Sequence, residues 1–118
     1  VTELVNGAGV CKTSVAEAYQ TKTVMPANRT AAGCSDVGTD NSTPPVVTDG
    51  LIEVDAAGGL STQLQANGSG IKFFYQPMCA GAKCAADGSL GAITGWACDN
   101  TNAGTDITAK YLPATCRG

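Results

Sequence analysis

The sequence predicts an α+β fold: one long N-terminal helix packed on a small antiparallel sheet of three to four strands, closed by a cysteine-bounded loop at the C-terminus. Three observations predict it. Apolar residues in the first 22 positions recur at spacings of three and four, the period of one helix face. From Leu51 onward, short segments alternate apolar and polar, the period of half-buried strands. A single helix lying across one face of such a sheet covers both apolar surfaces.

The expected helix spans 1–23, with Leu4, Ala8, Cys11, Val15 and Ala18/Tyr19 as its stripe. Gly7 and Gly9 each cost about 1 kcal/mol relative to alanine, so the helix depends on what packs along it. Thr2 with Val5 three residues on makes no capping box, and the expectation is a helix that began earlier in a processed or truncated chain. Pro26 disfavours helical geometry at Met25 and stops it. Residues 24–50 then form a long polar connection rich in Thr, Asn, Asp, Gly and Pro. Loops of this length are usually functional or clamped.

Leu51–Ala56 is the first expected strand, with Ile52, Val54 and Ala56 on one face and Leu51, Glu53 and Asp55 on the other. Leu60–Ala66 is expected as a second, weaker strand, with Leu60, Thr62, Leu64 and Ala66 in phase. Ile71–Gln76 holds both Phe and one Tyr and is the strongest strand signal; Pro77 ends it or sits at an edge. Ala92–Cys98 is the last, with Thr94, Trp96 and Cys98 sharing a face. The expected divisions are therefore a helix at 1–23, a loop at 24–50, sheet and cysteine loops at 51–98, and a terminal region at 98–116, within one domain of 118 residues.

Six cysteines and no histidine frame the chemistry. An even cysteine count in a small domain favours disulfides and an oxidising compartment, and fifteen full pairings are open. A Cys11–Cys34 bond would tie the long loop to the helix and gain about 3 kcal/mol of chain entropy. Cys79 and Cys84 enclose four residues; they suit a local bond if the turn brings their Cα atoms within about 7 Å, or a metal site with Cys98 and Cys116. Cys98 and Cys116 enclose a polar segment with little apolar material, which a cross-link at its base would tether as a surface loop.

Charge and motif content exclude several functions. The formal charge is −3 with no basic run, unlike a protein built to hold a phosphate backbone. The absence of histidine removes Ser/His/Asp and Cys/His arrangements. Glu53 and Asp55 lie about 7 Å apart along one strand face, a spacing that could serve an inverting glycosidase, but a solvated strand face has the same look. Asp36, Asp40 and Asp49 lack calcium-loop spacing, and Gly7-Ala-Gly9 lacks the context of a dinucleotide motif. Asn28-Arg-Thr30 matches a glycosylation acceptor. No apolar run reaches the length of a membrane span, so an exported protein of this sequence is expected to have lost its targeting part.

Val1–Gln20 (VTELVNGAG…KTSVAEAYQ), Gly95-Trp96-Ala97-Cys98 and the tail Lys110-Tyr111-Leu112-Pro113-Ala114-Thr115-Cys116-Arg117 together carry a resemblance. The chain resembles the soluble head domain of a type IV pilin of the type IVa-like major class in Gram-negative bacteria. The resemblance implies an N-terminally truncated head that lacks an apolar helix half. It implies methylation, residence in the inner membrane before assembly and an extracellular pilus afterwards. It further implies that Cys98 and Cys116 form the family's terminal disulfide. Cys11, Cys34, Cys79 and Cys84 depart from the commonest two-cysteine pattern and suggest two further bonds. The expected recognition surface is Asp99, Asn100, Thr101, Asn102, Lys110 and Tyr111.

The implied function is that of a major structural subunit supporting twitching motility, surface adhesion and DNA uptake, with no enzymatic activity and no cofactor. Its partners would be further copies of the chain, the inner-membrane assembly machinery, a host or abiotic surface, and DNA. A minor pilin or type II secretion pseudopilin shares the architecture, and a secreted disulfide-rich binding module is the alternative of another class. All six cysteines are expected to be oxidised. Mass measurement after alkylation without reduction should show no added label, and any labelled cysteine would contradict a three-disulfide protein.

Overall fold

A computed structural model describes residues 2–117; the expected helical start at Val1 lies outside the described residues. Helix α1 runs Thr2–Lys22. Leu4, Ala8, Cys11, Val15 and Tyr19 are all buried, so the stripe is the packing face. It lies against strands β2 (Leu51–Asp55) and β3 (Lys72–Cys79). Among the described residues no helix is long and apolar enough to cross a membrane.

The connection after α1 is more ordered than its composition implies. Met25 is buried, and its N–H donates to the Ala86 carbonyl at 2.8 Å. A single helical turn, α2 (Arg29–Ala32), follows; the Asn28 side-chain oxygen caps it by accepting from the Ala31 N–H at 2.8 Å. Strand β1 (Val46–Thr48) lies inside the span expected to be loop. It pairs antiparallel with β2, Val47 opposite Ile52. Asp49 and Gly50, at φ 50° and 87°, make the two-residue turn between them. The sequence signal was present: Asp-Gly between an apolar pair and an alternating strand is a hairpin signature, because such turns need two positive φ angles.

Leu60–Ala66 is not a strand. It belongs to helix α3, Gly58–Ala66. Leu60 and Leu64 are in phase for a strand and equally one helical turn apart, so seven residues with two large apolar side chains do not decide the period. Burial decides it: Leu64 is buried and Leu60 half-buried, whereas Thr62 and Ala66, which a strand would turn to the same side, are exposed. Hydrogen bonds from Thr62 Oγ1 to the Gly58 carbonyl and from Gln65 to Ser61 add helical i, i+4 links.

The remaining strands are β4 (Ala82–Lys83) and β5 (Gly95–Ala97). The sheet runs β1-β2-β3-β4, with β5 also paired to β3. β3 is longer than the expected 71–76 because it passes through Pro77. β2 pairs with Lys72–Tyr75 and β4 with Met78–Cys79, so Pro77 falls between them, where no N–H is needed. β5 is shorter than the expected 92–98, and Leu51–Ala56 loses its last residue, since Ala56 makes only an isolated bridge to Ser42. Phe73, Tyr75, Pro77 and Cys79 face inward from β3. Phe73 meets Tyr75 edge-on at 5.1 Å, and Tyr75 meets Trp96 edge-on at 6.2 Å.

Candidate interaction surface

The terminal region, 98–116, is joined to β3 at Thr105 and Asp106. Alternate residues of a strand direct their N–H and C=O to one edge. On β3, Lys72 and Phe74 direct theirs away from β2. Thr105 Oγ1 accepts from the Phe74 N–H at 3.0 Å and donates to the Phe74 carbonyl. The Asp106 N–H donates to the Lys72 carbonyl, and the Asp106 carboxylate accepts from the Lys72 N–H at 2.7 Å. Gln76 and Met78 continue the same edge into β5. Ile107, Leu112 and Ala103 are buried beneath the region, and Thr108 N–H donates to Ser69 Oγ at 2.9 Å.

The sequence-predicted surface residues fall into two groups that share no hydrogen bond among the described residues. Asp99 to Asn102 form a self-closed turn: the Asp99 carboxylate accepts from the Asn102 N–H at 2.9 Å and its side-chain amide at 3.1 Å. The Asn100 amide turns inward to the Thr105 and Ile107 carbonyls. Thr101 and Asn102 are exposed. Lys110 and Tyr111 lie in a 3-10 turn, Ala109–Tyr111, with the ammonium 5.1 Å from the Tyr111 ring centroid. Lys110 is exposed and Tyr111 half-buried. Sequence reasoning missed Thr105 and Asp106, the two residues that join the region to the sheet. Polar residues in a turn-rich run carry no sequence mark that separates a strand-edge partner from a solvated one.

Three bonds pair the cysteines: Cys11 with Cys34, Cys79 with Cys84 and Cys98 with Cys116, with Cα separations of 5.3, 4.9 and 4.8 Å. The first fixes the end of α2 to the buried stripe of α1. The second closes the β3–β4 hairpin. The third joins the residue after β5 to the end of the terminal region.

Glu53 and Asp55 do not stand free on their strand face. Lys72 on β3 bridges both, at 2.8 and 3.2 Å. Hydrogen bonds to Glu53 and then Asp55, with their charges, push the Lys72 ammonium up to about 12. Burial pushes the Asp55 carboxyl up as well, outweighing the ammonium, and its Oδ1 is buried without a partner among the described residues. Lys72 satisfies one oxygen of each carboxylate and leaves the other Asp55 oxygen desolvated. Among the described residues no group of three or more His, Cys, Asp or Glu is placed to hold a metal ion.

The arrangement defines a structural module whose loops are fastened to a helix-backed sheet. Residues 1–117 match the family of pilins, bacterial filament proteins, and the chain belongs to that family. It is thus a structural protein rather than an enzyme. No curated protein matches it.

Two measurements check this site. Thr105→Val keeps the shape and leaves the Phe74 N–H and carbonyl unpaired, so denaturant unfolding should show a loss of about 1–3 kcal/mol, against a change within about 0.5 kcal/mol for Asn102→Ala at the exposed turn. Lys72 has a raised folded pKa, so its contribution is complete below its ordinary 10.5 and is lost as pH rises through about 12. Thermal midpoints across that window should fall more steeply for the wild type than for Lys72→Met; parallel curves would contradict the bridge.

Proposed function

We propose that this chain is the head of the major structural subunit of a type IVa-like pilus. In this reading the filament is extracellular, the subunit waits in the inner membrane, and the pilus supports twitching motility, surface adhesion and DNA uptake. The observation that carries the reading is the terminal region. Gly95–Cys98 runs from the sheet into a segment that ends in Lys110–Cys116, the stretch with the most specific resemblance to major pilins, and the Cys98–Cys116 bond closes it.

The rest of the surface suits a repeating subunit. A filament needs heterologous contacts that do not close. α1 turns its face opposite the stripe outward, where Val10 is 72% exposed beside polar Asn6, Thr13 and Glu17. Thr101, Asn102 and Lys110, with half-buried Asp99 and Tyr111, offer a polar recognition surface on a fixed base, open to a host or abiotic surface or to DNA. The assembly machinery of the inner membrane is the remaining partner.

Deleting the gene should remove surface filaments and twitching together, and wild-type expression should restore both. This chain should also be the main protein of sheared filaments. Filaments that persist at normal number after deletion would contradict the proposal; a trace of this chain in otherwise normal filaments would make it a minor pilin.

A further inference from the structure

A cleft of about 510 Å³ opens between the C-terminal half of α1 and the segment that leads into β5. Ala16, Tyr19 and Gln20 line it on the helix side, and Ala92, Ile93 and Trp96 on the other. Among the described residues no charged side chain lines it. Its far wall is pinned: Tyr19 donates its hydroxyl to the Gly91 carbonyl, and the Thr94 N–H donates to the Met78 carbonyl at 2.8 Å.

The cleft runs beside an open sheet edge. β5 sets Gly95 opposite Met78, Trp96 opposite Pro77 and Ala97 opposite Gln76. Pro77 has no N–H, and its carbonyl accepts from the Cys84 N–H at 3.0 Å on the β4 side. Trp96 and Pro77 are therefore the non-bonded pair, and the Trp96 N–H and C=O point away from β3. Among the described residues no strand or loop supplies them a backbone partner. The other edges of the sheet are guarded. Pro44 and Pro45 precede β1, Arg29 Nη1 donates to the Pro45 carbonyl at 3.1 Å, and α2 packs against the strand. β4 has two residues, one of them Lys83. Residues 91–98 hold neither a charge nor a proline, so β5 carries none of the usual defences against an incoming strand.

We propose that the edge of β5 takes an extended peptide segment of a partner protein as an added strand, with an apolar side chain of that segment seated in the cleft. An extended backbone offers an N–H and a C=O at the spacing that Trp96 presents. In an antiparallel pairing, the residue opposite Trp96 exchanges both bonds with it. Its side chain then lies on the face shared by Trp96 and Pro77, which is the face turned to α1. The uncharged walls select an apolar side chain there, and the pinned wall leaves little ordering to be lost on docking. The head alone is sufficient for this site, so it stands whether or not the chain builds the filament.

The test titrates the oxidised chain with short end-capped peptides in which threonine alternates with alanine, valine or leucine. Trp96 is the single tryptophan, so its fluorescence reports the cleft directly. A saturable change is expected, and the Trp96 amide should exchange about tenfold or more slowly at saturation. An added strand uses one of its two edges. N-methylation of one alternate set of peptide amides should therefore weaken binding about tenfold or more, and methylation of the other set should leave it within about twofold. Ala92→Arg, at an exposed position of the lining, should abolish binding with the thermal midpoint within about 2 °C of wild type. Should it unfold the head, Gln20→Arg on the exposed side of α1 is the second obstruction. No saturable change with any of the peptides would overturn the proposal, as would unchanged binding to the obstructed head. Equal effects of the two methylated sets would mark a side-chain pocket only and overturn it. Slowing of the Trp96 amide as the head alone is concentrated would assign the edge to a second copy and overturn it too.

Discussion

β3 is the strand on which the rest of the domain depends, because both of its hydrogen-bonding edges are occupied. β2 and then β4 take one edge; the Thr105–Asp106 segment and then β5 take the other. An open edge in a strand this apolar would be a site for unplanned pairing. Here the polar terminal region closes it, so a segment with few apolar residues of its own becomes part of the sheet. The inward side chains of β3 are then held at fixed height under α1, where Phe73 and Tyr75 complete the core.

The disulfides act at the places where burial is thin. α2 has four residues and Ala32 as its buried side chain. The β3–β4 hairpin has a two-residue second strand with both residues exposed. The terminal region relies on Ile107 and Leu112. Each of these three elements ends in one cross-link, which limits the unfolded alternatives that its small apolar area could not exclude. Each of these elements is therefore fastened at its end to a better-packed part of the domain.

Legibility in the sequence followed apolar density. The α1 stripe was readable because five large or small apolar residues keep one period over 16 positions, and all five are buried. β2 and the start of β3 were readable by alternation. Leu60 and Leu64 of α3 satisfy both periods, and the exposure of Thr62 and Ala66 is what separates them. β1 was missed although Asp49-Gly50 marks its turn, since three residues in a Pro-rich stretch carry little weight. The tail was recognisable by resemblance, but Thr105 and Asp106 were not, because their partners lie more than thirty positions away and hydrogen-bond partners across a fold leave no local pattern. The same holds for Lys72, whose bridge to Glu53 and Asp55 appears only when β2 and β3 are in register.

The terminal region is hydrogen-bonded to the edge of β3 through Thr105 and Asp106 and is not a pendant loop. Native-state hydrogen exchange of the oxidised domain tests it most directly. The Phe74, Asp106 and Thr108 amides should exchange as slowly as the interior amides of β3, with protection approaching that of global unfolding. Exchange of Asp106 and Thr108 at the rate of the exposed Thr101 amide, with the β3 interior still protected, would contradict it.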